Sequence, residues 1–519
     1  METHDCNPKT RNPKRSSEPM RMTRRNFLGG LGGTASAAAA LTIVPRHVLG
    51  GPGFVAPSDK LTLGCIGVGA QGTRVMTDFL KEPDVQIVAV CDVNRQSSDY
   101  SEWGKNELRD RVRQLLGDSS WGSQFTGPTA GREPAKQIVE SYYAKGTTAG
   151  QYHGCAAYDD FRELLHTEKD LDAVMVCTPD HWHAPISISA MKMGKHTYCQ
   201  KPMTHSVYEA RRMAEVARET KVATQVAIGN SASEGTRALC ELVWSGVIGP
   251  VRQVKNWSSR PFWPQGLDRP KDTEPVPDGL DWDLWLGPAP ERPYNHIYLP
   301  FVWRGWYDFG QGALGDMGNY SFDTIFRVLK LTTPVTVEAS STEVFKETFP
   351  SASLIHWEFP ARTDMPAVKI HWYDGGLRPP RPDELEPEDW GQMGAGENHE
   401  GMLLIGDHGK LLCGFEGQRA RLLPESRMKN FTPPPKTLPR SIGHYREWIE
   451  AAKGGKVQPE ANFEFESSVV EALLLGNVAL RTGEKLRWDS ANLKVPNVAA
   501  ADALVSPGYR GDWGAVIKG

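Results

Sequence analysis

The stretch that most constrains this chain is Lys60–Asp92. An apolar strand pattern, Lys60 to Val68, runs into Gly67-Val68-Gly69-Ala70-Gln71-Gly72. A helical pattern follows over Thr73–Leu80, and then a second apolar strand, Val85–Cys91, ends at Asp92. Strand, GxGxxG, helix, strand and acid in this order predict a βαβ unit that cradles a dinucleotide. The glycines allow a tight turn and close approach of the backbone to a pyrophosphate. The helix N-terminus offers that anion free N–H groups and a positive dipole end. Asp92 stands 25 residues after Gly67, near the roughly 20 of the fingerprint. A carboxylate there accepts from a ribose 2′-OH and repels a 2′-phosphate, which favours NAD; Arg95 close by keeps NADP open.

The α/β alternation continues past an insertion. Residues 100–150 are rich in Gly, Ser and charge, with one helical stretch near Ala135–Ala144, and read as a surface excursion that contacts a partner subunit. A short strand at Cys155–Tyr158 and a helix at Asp160–His166 follow. The buried strand Leu171–Cys177 then ends in Thr178-Pro179-Asp180-His181-Trp182-His183. The helix Ala184–Met193 leads to the strand His196–Cys199 and to Gln200-Lys201-Pro202. The helix Val207–Thr220 and the strand Val222–Ile228 close this half, with Asn230 just beyond. Proline ends the strand before it, so Lys201 is placed at the carboxyl edge of the sheet, where open α/β proteins bind ligands. His181 and His183 lack a third ligand at metal-site spacing, so they are read as cofactor or substrate contacts and no metal is expected.

Composition limits the rest. In 519 residues, 39% hydrophobic and 24% charged with a net charge of −4, nothing supplies the basic field that nucleic acid or an anionic membrane requires. The eight cysteines show no CxxC, so neither a zinc site nor a disulfide framework is indicated. Residues 1–57 read as a leader. Thr23-Arg24-Arg25-Asn26-Phe27-Leu28 is a twin-arginine pattern, followed by a weakly apolar Gly/Ala run to Val44, and Ala35-Ser36-Ala37 is one processing site. Export to the periplasm by that route is the expectation, with no membrane span once the signal is removed.

Domain boundaries are expected at 58–203 for the dinucleotide domain (204–230 closing it), 231–490 for a C-terminal α/β domain and 491–519 for a tail. Past the helix Glu234–Ser245 and the strand Val251–Trp257 lies a Pro/Trp-rich segment, Arg260–Trp306, with Trp263, Trp282, Trp285, Trp303 and Trp306. Such rings suit stacking on sugar faces or, equally, a core ribbon. Gly310–Tyr320 opens a helix continuing to Leu329. It sets Asp316 and Tyr320 one turn apart on one face, and Gly315 and Gly318 are read as keeping that face open for a ligand. Strands at Val335–Ser341, Ala352–Phe359, Ala367–Tyr373, Met402–Gly406 and Lys410–Cys413 predict a mostly antiparallel sheet with one face on helices. Gly375–Glu400 is a long loop and a candidate lid, and Arg440–Ala452 and Phe465–Thr482 are amphipathic helices.

From Leu61 to Trp488 the chain resembles the Gfo/Idh/MocA family of dinucleotide-dependent oxidoreductases. The resemblance rests on GVGAQG at 67–72, TPDHWHA from Thr178, Gln-Lys-Pro at 200–202 and GALGDMGNY at 312–320. It implies an N-terminal Rossmann domain and a C-terminal α/β domain whose open sheet forms homo-oligomers. The family's tripeptide is Glu-Lys-Pro with its lysine near the nicotinamide, and Lys201 matches it. Gln200 replaces the Glu, and Tyr320 stands where a catalytic His is usual; glucose–fructose oxidoreductase, an exported member, is similar in placing Tyr there.

These readings assign residues. Lys201, Asp316 and Tyr320 are the catalytic candidates: Tyr320 as base, Lys201 stabilising the developing alkoxide and the phenolate, Asp316 orienting the substrate. Gly67, Gly69, Ala70, Gln71, Gly72 and Asp92 hold the cofactor, joined by Thr178, Pro179, His183, Gln200, Lys201 and Asn230. His181, Trp182, Trp303, Arg304 and Asn319 face the substrate. The expected activity is hydride transfer between a sugar or cyclitol hydroxyl and NAD. Because free NAD is scarce outside the cytoplasm, the cofactor is expected to be tightly held and regenerated in place. An NAD-dependent glycosidase or lyase working by transient oxidation is one alternative, and a non-catalytic sugar- and dinucleotide-binding protein is another.

Overall fold

β1 (Leu61–Ile66) and β4 (Ala173–Val176) run side by side at the centre of a six-stranded sheet, and β4 is buried along its whole length. Strands covered on both faces need continuous apolar runs, which is why Leu171–Cys177 reads as unbroken hydrophobic sequence. The computed structural model describes residues 59–146, 152–386, 390 and 399–519. The expected leader lies outside the described residues, as does much of the candidate lid.

With β2 (Val85–Cys91), β3 (Ala156–Tyr158), β5 (His196–Cys199) and β6 (Thr224–Val226), the order is β3-β2-β1-β4-β5-β6, every pair parallel. The direction of strand addition reverses between β1 and β4. The loops that leave these two strands therefore face each other across a switch-point crevice. On one face of the sheet pack α1 (Ala70–Leu80), α2 (Glu107–Leu116) and α3 (Arg132–Ala144). On the other pack α4 (Phe161–Thr167), α5 (His183–Lys192) and α6 (Val207–Thr220).

The insertion is not a surface excursion. Leu108, Val112 and Leu116 of α2 and Ala135, Ile138 and Val139 of α3 are buried in the same core as β1 and β2. The i, i+4, i+8 spacing of the α2 residues was masked by the strongly charged positions between them.

The second sheet has eight strands: β7 (Val251–Trp257), β8 (Thr336–Ser341), β9 (Ser353–Phe359), β10 (Val368–Tyr373), β11 (Gly401–Gly406), β12 (Gly409–Cys413), β13 (Arg421–Leu423) and β14 (Leu486–Arg487). Their order is β13-β12-β11-β7-β10-β9-β8-β14. All pairs are antiparallel except β7 with β10. Alternate residues of β9 and β10 (Ile355, Trp357, Ile370, Trp372) are buried in one core with α9 (Gly312–Leu329) and α11 (Phe463–Thr482), and the intervening residues are more exposed. α7 (Glu234–Trp244) and α8 (Trp282–Leu286) precede α9 in sequence, and α10 (His444–Ala452) lies between α9 and α11.

Two C-terminal pieces complete the first domain. Trp448 and Ile449 of α10 enter its core beside Phe79 and Tyr198, and His444 Nε2 lies 2.9 Å from Tyr198 Oη. The segment 491–519 is likewise no loose tail. It forms α12 (Ala499–Val505) and α13 (Trp513–Lys518), and Trp513 meets Trp182 edge to face at 4.7 Å.

Candidate active site

The carboxyl ends of β1, β4 and β5 open into one cleft of about 530 Å³, closed on the far side by α9 and the Pro/Trp-rich segment. At the β1 end the backbone is built for close approach. Gly67 has φ +79°, and a Cβ there would sit 2.6 Å from the Cys177 carbonyl carbon; a Cβ on Gly72 would sit 1.9 Å from Gly67 O. Gly69 caps α1 without a side-chain hydrogen bond, and no acid stands in the first turn. The dipole end and its N–H groups are thus free for an anion. Thr178 Oγ1, across the crevice on the cleft wall, is buried with no partner among the described residues. A glycine cradle, an uncompensated helix N-terminus and an orphaned hydroxyl fit a dinucleotide.

Asp92 lines the same end. Its Oδ2 accepts from Val68 N–H at 2.8 Å and its Oδ1 from Asn94 N–H at 2.9 Å. Burial pushes its carboxyl up to about 6, against those main-chain donors. The acid therefore braces the glycine loop as well as facing the ribose position. Arg95 does not line the cleft; its Nη2 lies 3.3 Å from Asp278.

At the β5 end the Lys201 ammonium donates to Asp316 Oδ1 at 2.9 Å and to the Asp316 main-chain oxygen at 2.6 Å. Arg304 Nε donates to the same Oδ1 at 3.0 Å. Burial works against the carboxylate, but Lys201 and Arg304 overcome it and hold Asp316 down at about 2. Burial also works against the Lys201 ammonium; Asp316 overcomes it, so its pKa lies above the usual lysine value. Two cations against one carboxylate leave a single positive charge in a largely dry pocket. The Lys201 Nζ also sits 4.8 Å from the centre of the Tyr320 ring. Asp316 and Tyr320 share the cleft-facing side of α9, as their i, i+4 spacing requires.

Of the residues singled out from sequence, the six of the cradle and its acid, with Thr178, Pro179, Gln200, Lys201, Trp182, Trp303, Arg304, Asp316 and Tyr320, line this single cleft. Four others do not. His183 is buried with Nδ1 2.6 Å from Pro202 O and Nε2 2.8 Å from Thr178 O. Burial pulls its pKa down to about 4, so the ring is neutral at pH 7, donates to only one of the two carbonyls, and keeps no nitrogen for a cofactor. His181 is likewise held between Trp285 O at 3.0 Å and Phe309 O at 3.3 Å rather than facing substrate. Asn230 donates to Tyr320 O (2.9 Å) and Thr324 Oγ1 (3.1 Å); it steadies α9 and is not on the cofactor wall. Asn319 is fully buried and bonds back to Gly315 O within its own helix. The glycines of that helix also have another purpose. A Cβ on Gly315 would strike Gln311 and one on Gly318 would strike Leu473 of α11, so they permit packing rather than ligand access.

Most of the Trp ribbon is core: Trp263, Trp285 and Trp306 are buried, and Trp282 stacks on Trp285. Several wall residues escaped the sequence reading. Tyr100 and Trp103 come from the insertion, where composition gave no signal. Asp180 was overshadowed by the histidines beside it. It is buried, its Oδ1 has no partner among the described residues, and burial pushes its carboxyl well above the usual range, with Arg304 opposing and Asp316 reinforcing.

Fold and site together define a two-domain, dinucleotide-binding oxidoreductase. The family model for the NAD-binding Rossmann fold of the Gfo/Idh/MocA oxidoreductases matches residues 122–228, and that for their C-terminal α/β domain matches 239–360. Over those two stretches the chain matches the family's two domains, the first of them its NAD-binding one. A glycosyl hydrolase family 109 protein of Shewanella pealeana is 29% identical over 215 residues, 39% of this chain and 38% of that protein. Another, of Saccharopolyspora erythraea, is 28% identical over 193 residues, 37% of this chain and 34% of its own length. The chain thus aligns with little more than a third of these relatives. Among solved structures, the WlbA dehydrogenase of Bordetella pertussis, in complex with NADH and UDP-GlcNAcA, shares the fold. Its TM-score is 0.51 at 14% identity, over 83% of this chain and 99% of that one. Among the described residues no helix is long and apolar enough to cross a membrane, and no group of three or more His, Cys, Asp and Glu side chains could hold a metal.

Proposed function

We propose that this chain oxidises or reduces a CH–OH of a carbohydrate against a resident NAD. The observation that carries this reading is the Lys201–Asp316–Arg304 group, with Tyr320 beneath the ammonium, in the same cleft as the glycine cradle. Bound in that cradle, the nicotinamide supplies the hydride acceptor. Lys201 and Arg304 favour negative charge on the reacting oxygen, since the group carries a net positive charge in a water-poor pocket. Asp316, locked by both cations, fixes the Lys201 ammonium in place and does not itself take a proton at neutral pH. Tyr320, one turn further along α9 with its ring 4.8 Å from the Lys201 ammonium, accepts the hydroxyl proton. Arg304, packed 4.3 Å from both Phe301 and Trp303, keeps the sugar-facing wall rigid.

The twin-arginine leader supports export of the folded, loaded protein, with the cofactor retained through repeated turnovers by a second substrate or a redox-neutral cycle. The half-buried outer residues of β9 and β10 (Leu354, His356, His371, Tyr373) support assembly of copies through the second sheet. Purification without added NAD, followed by a sugar screen read at the reduced-nicotinamide absorbance, tests this reading. An empty protein that binds NAD only at millimolar concentration, or no sugar that reduces the cofactor, contradicts it.

One observation favours a second reading, removal of a glycoside's leaving group after transient oxidation. Asp180 is a buried acid on the cleft wall whose Oδ1 has no partner among the described residues and whose carboxyl burial pushes well above the usual range, which suits it to delivering a proton to a departing oxygen. The family 109 relatives support it over the part they align. Release of aglycone without net reduced nicotinamide selects it.

A further inference from the structure

The mouth of the cleft carries a feature that hydride transfer to a single sugar ring does not use. Phe262 and Trp103 are each 58% exposed, although both are large apolar side chains. They belong to a continuous run of rings and guanidinium groups. Arg260 lies 4.6 Å over Phe262, Phe262 stacks on Phe301 at 5.7 Å with 10° between planes, and Arg304 packs 4.3 Å from both Phe301 and Trp303. Trp103, from the first domain, meets Phe301 edge-on at 5.9 Å and Phe262 at 6.3 Å, with Arg74 over its own ring at 5.8 Å. The run therefore spans both domains and leads from Trp303, beside Asp316, out to solvent.

Its outer charge is balanced, Arg260 by Glu400 at 3.2 Å and Arg74 by Glu107 at 2.7 Å, while the net positive charge of the Lys201–Asp316–Arg304 group stays at the inner end. A surface of aromatic faces with neutralised cations attracts an uncharged ligand with apolar C–H faces and a polar rim, as a pyranose has, and gives no advantage to an anion. Phe301, which joins the inner and outer halves, holds φ +67° and ψ −45°, a conformation that bulky residues rarely adopt. A backbone held so unfavourably at a cleft mouth is one the surrounding packing keeps for a purpose. Trp303, Phe301 and Trp103 line the cleft, and Phe262, stacked on Phe301, extends that lining outward.

We propose that Trp103, Phe262 and Phe301 form a second sugar subsite, so that the protein takes the terminal unit of a neutral oligosaccharide or glycoside and stacks the next ring at the mouth. This rests on the carbohydrate reading above. The test is titration calorimetry on the full chain as purified with its cofactor. The probes are mono-, di- and trisaccharides of the malto-, cello-, xylo- and chito-series, with wild type, Phe262→Ala and the Trp103→Ala/Phe262→Ala pair. The measured quantity is the disaccharide-to-monosaccharide affinity ratio within a series. In the series the protein recognises, that ratio is about 10 or more for wild type and falls to within about twofold of 1 in the double variant. Both side chains are mostly exposed, so their truncation leaves the melting temperature nearly unchanged. A wild-type ratio near 1, or one the double variant leaves unmoved, overturns the subsite. An unmoved ratio with a shift of the protein from dimer to monomer assigns the patch to a second copy instead, and also overturns it. If monosaccharides bind and the ratio is flat, only the subsite falls; if no sugar binds at all, the carbohydrate reading falls with it.

Discussion

Replacing Asp316 by Asn removes one charge from the middle of the Lys201–Asp316–Arg304 group and keeps the side chain's shape. The three side chains are only 11%, 15% and 16% exposed, so solvent screens them little. In the folded protein the Asp316 carboxyl titrates at about 2 rather than 3.8. At 1.36 kcal/mol for each pH unit, that difference corresponds to about 2 kcal/mol of stability at neutral pH. A carboxyl with a depressed folded pKa contributes fully above its unfolded value. The contribution is then lost as pH falls through the window from about 4 to about 2. Asp316→Asn should therefore unfold in urea with about 2 kcal/mol less stability than wild type at pH 7, followed by tryptophan fluorescence, and with about half that gap at pH 3. Lys201 would keep only neutral acceptors, the amide and main-chain oxygens of residue 316, and its pKa would drop, since the Asp316 charge is what outweighs burial there. Equal stability at pH 7, or a gap unchanged at pH 3, would refute the argument that this carboxylate is held ionised by its two cations.

Three further substitutions probe the rest of the site. Gly72→Ala places a Cβ against a main-chain oxygen that cannot yield, so the purified variant should lose its nicotinamide absorbance while its C-terminal domain stays folded by circular dichroism. His183→Ala removes a ring wedged between two carbonyls and should cost about 2–3 kcal/mol in thermal unfolding, with cofactor content at saturating NAD unchanged; loss of cofactor without loss of stability would restore a direct binding role. Asp92→Ser should weaken NAD by about tenfold and narrow its preference over NADP, measured by fluorescence titration of both.

The first domain was legible because its chemistry is written in short spacings. A GxGxxG between two apolar strands and a Lys-Pro after a third place their residues at one sheet edge whatever the rest of the chain does. Asp316 and Tyr320 were legible for the same reason, since i and i+4 on a helix share a face. What spacing does not tell is where a polar side chain at that edge will find its partner. His181 and His183 sit where cofactor contacts belong, yet main-chain carbonyls claim their ring nitrogens, all but that of Thr178 nearly 20 residues or more away. Asn230 and Asn319 direct their amide N–H groups to main-chain oxygens of α9. Asp180 shows the converse: an acid beside two more conspicuous histidines has, like Thr178, a cleft-wall oxygen without a partner among the described residues. The insertion was misread because its buried positions are thinly spread through charge, and Trp103 becomes meaningful only once the fold sets it against Phe262 and Phe301 from the other domain.

The central claim is that Lys201 acts on the reacting oxygen. Its most direct test is a single-turnover measurement on cofactor-loaded wild type and Lys201→Ala with the best sugar from the screen, following reduced-nicotinamide absorbance. The account predicts equal bound cofactor in the two proteins and a first-turnover rate lower by about 10² to 10³ in the variant. Equal rates at equal cofactor content would contradict it, and so would a variant that is slow only because it is empty.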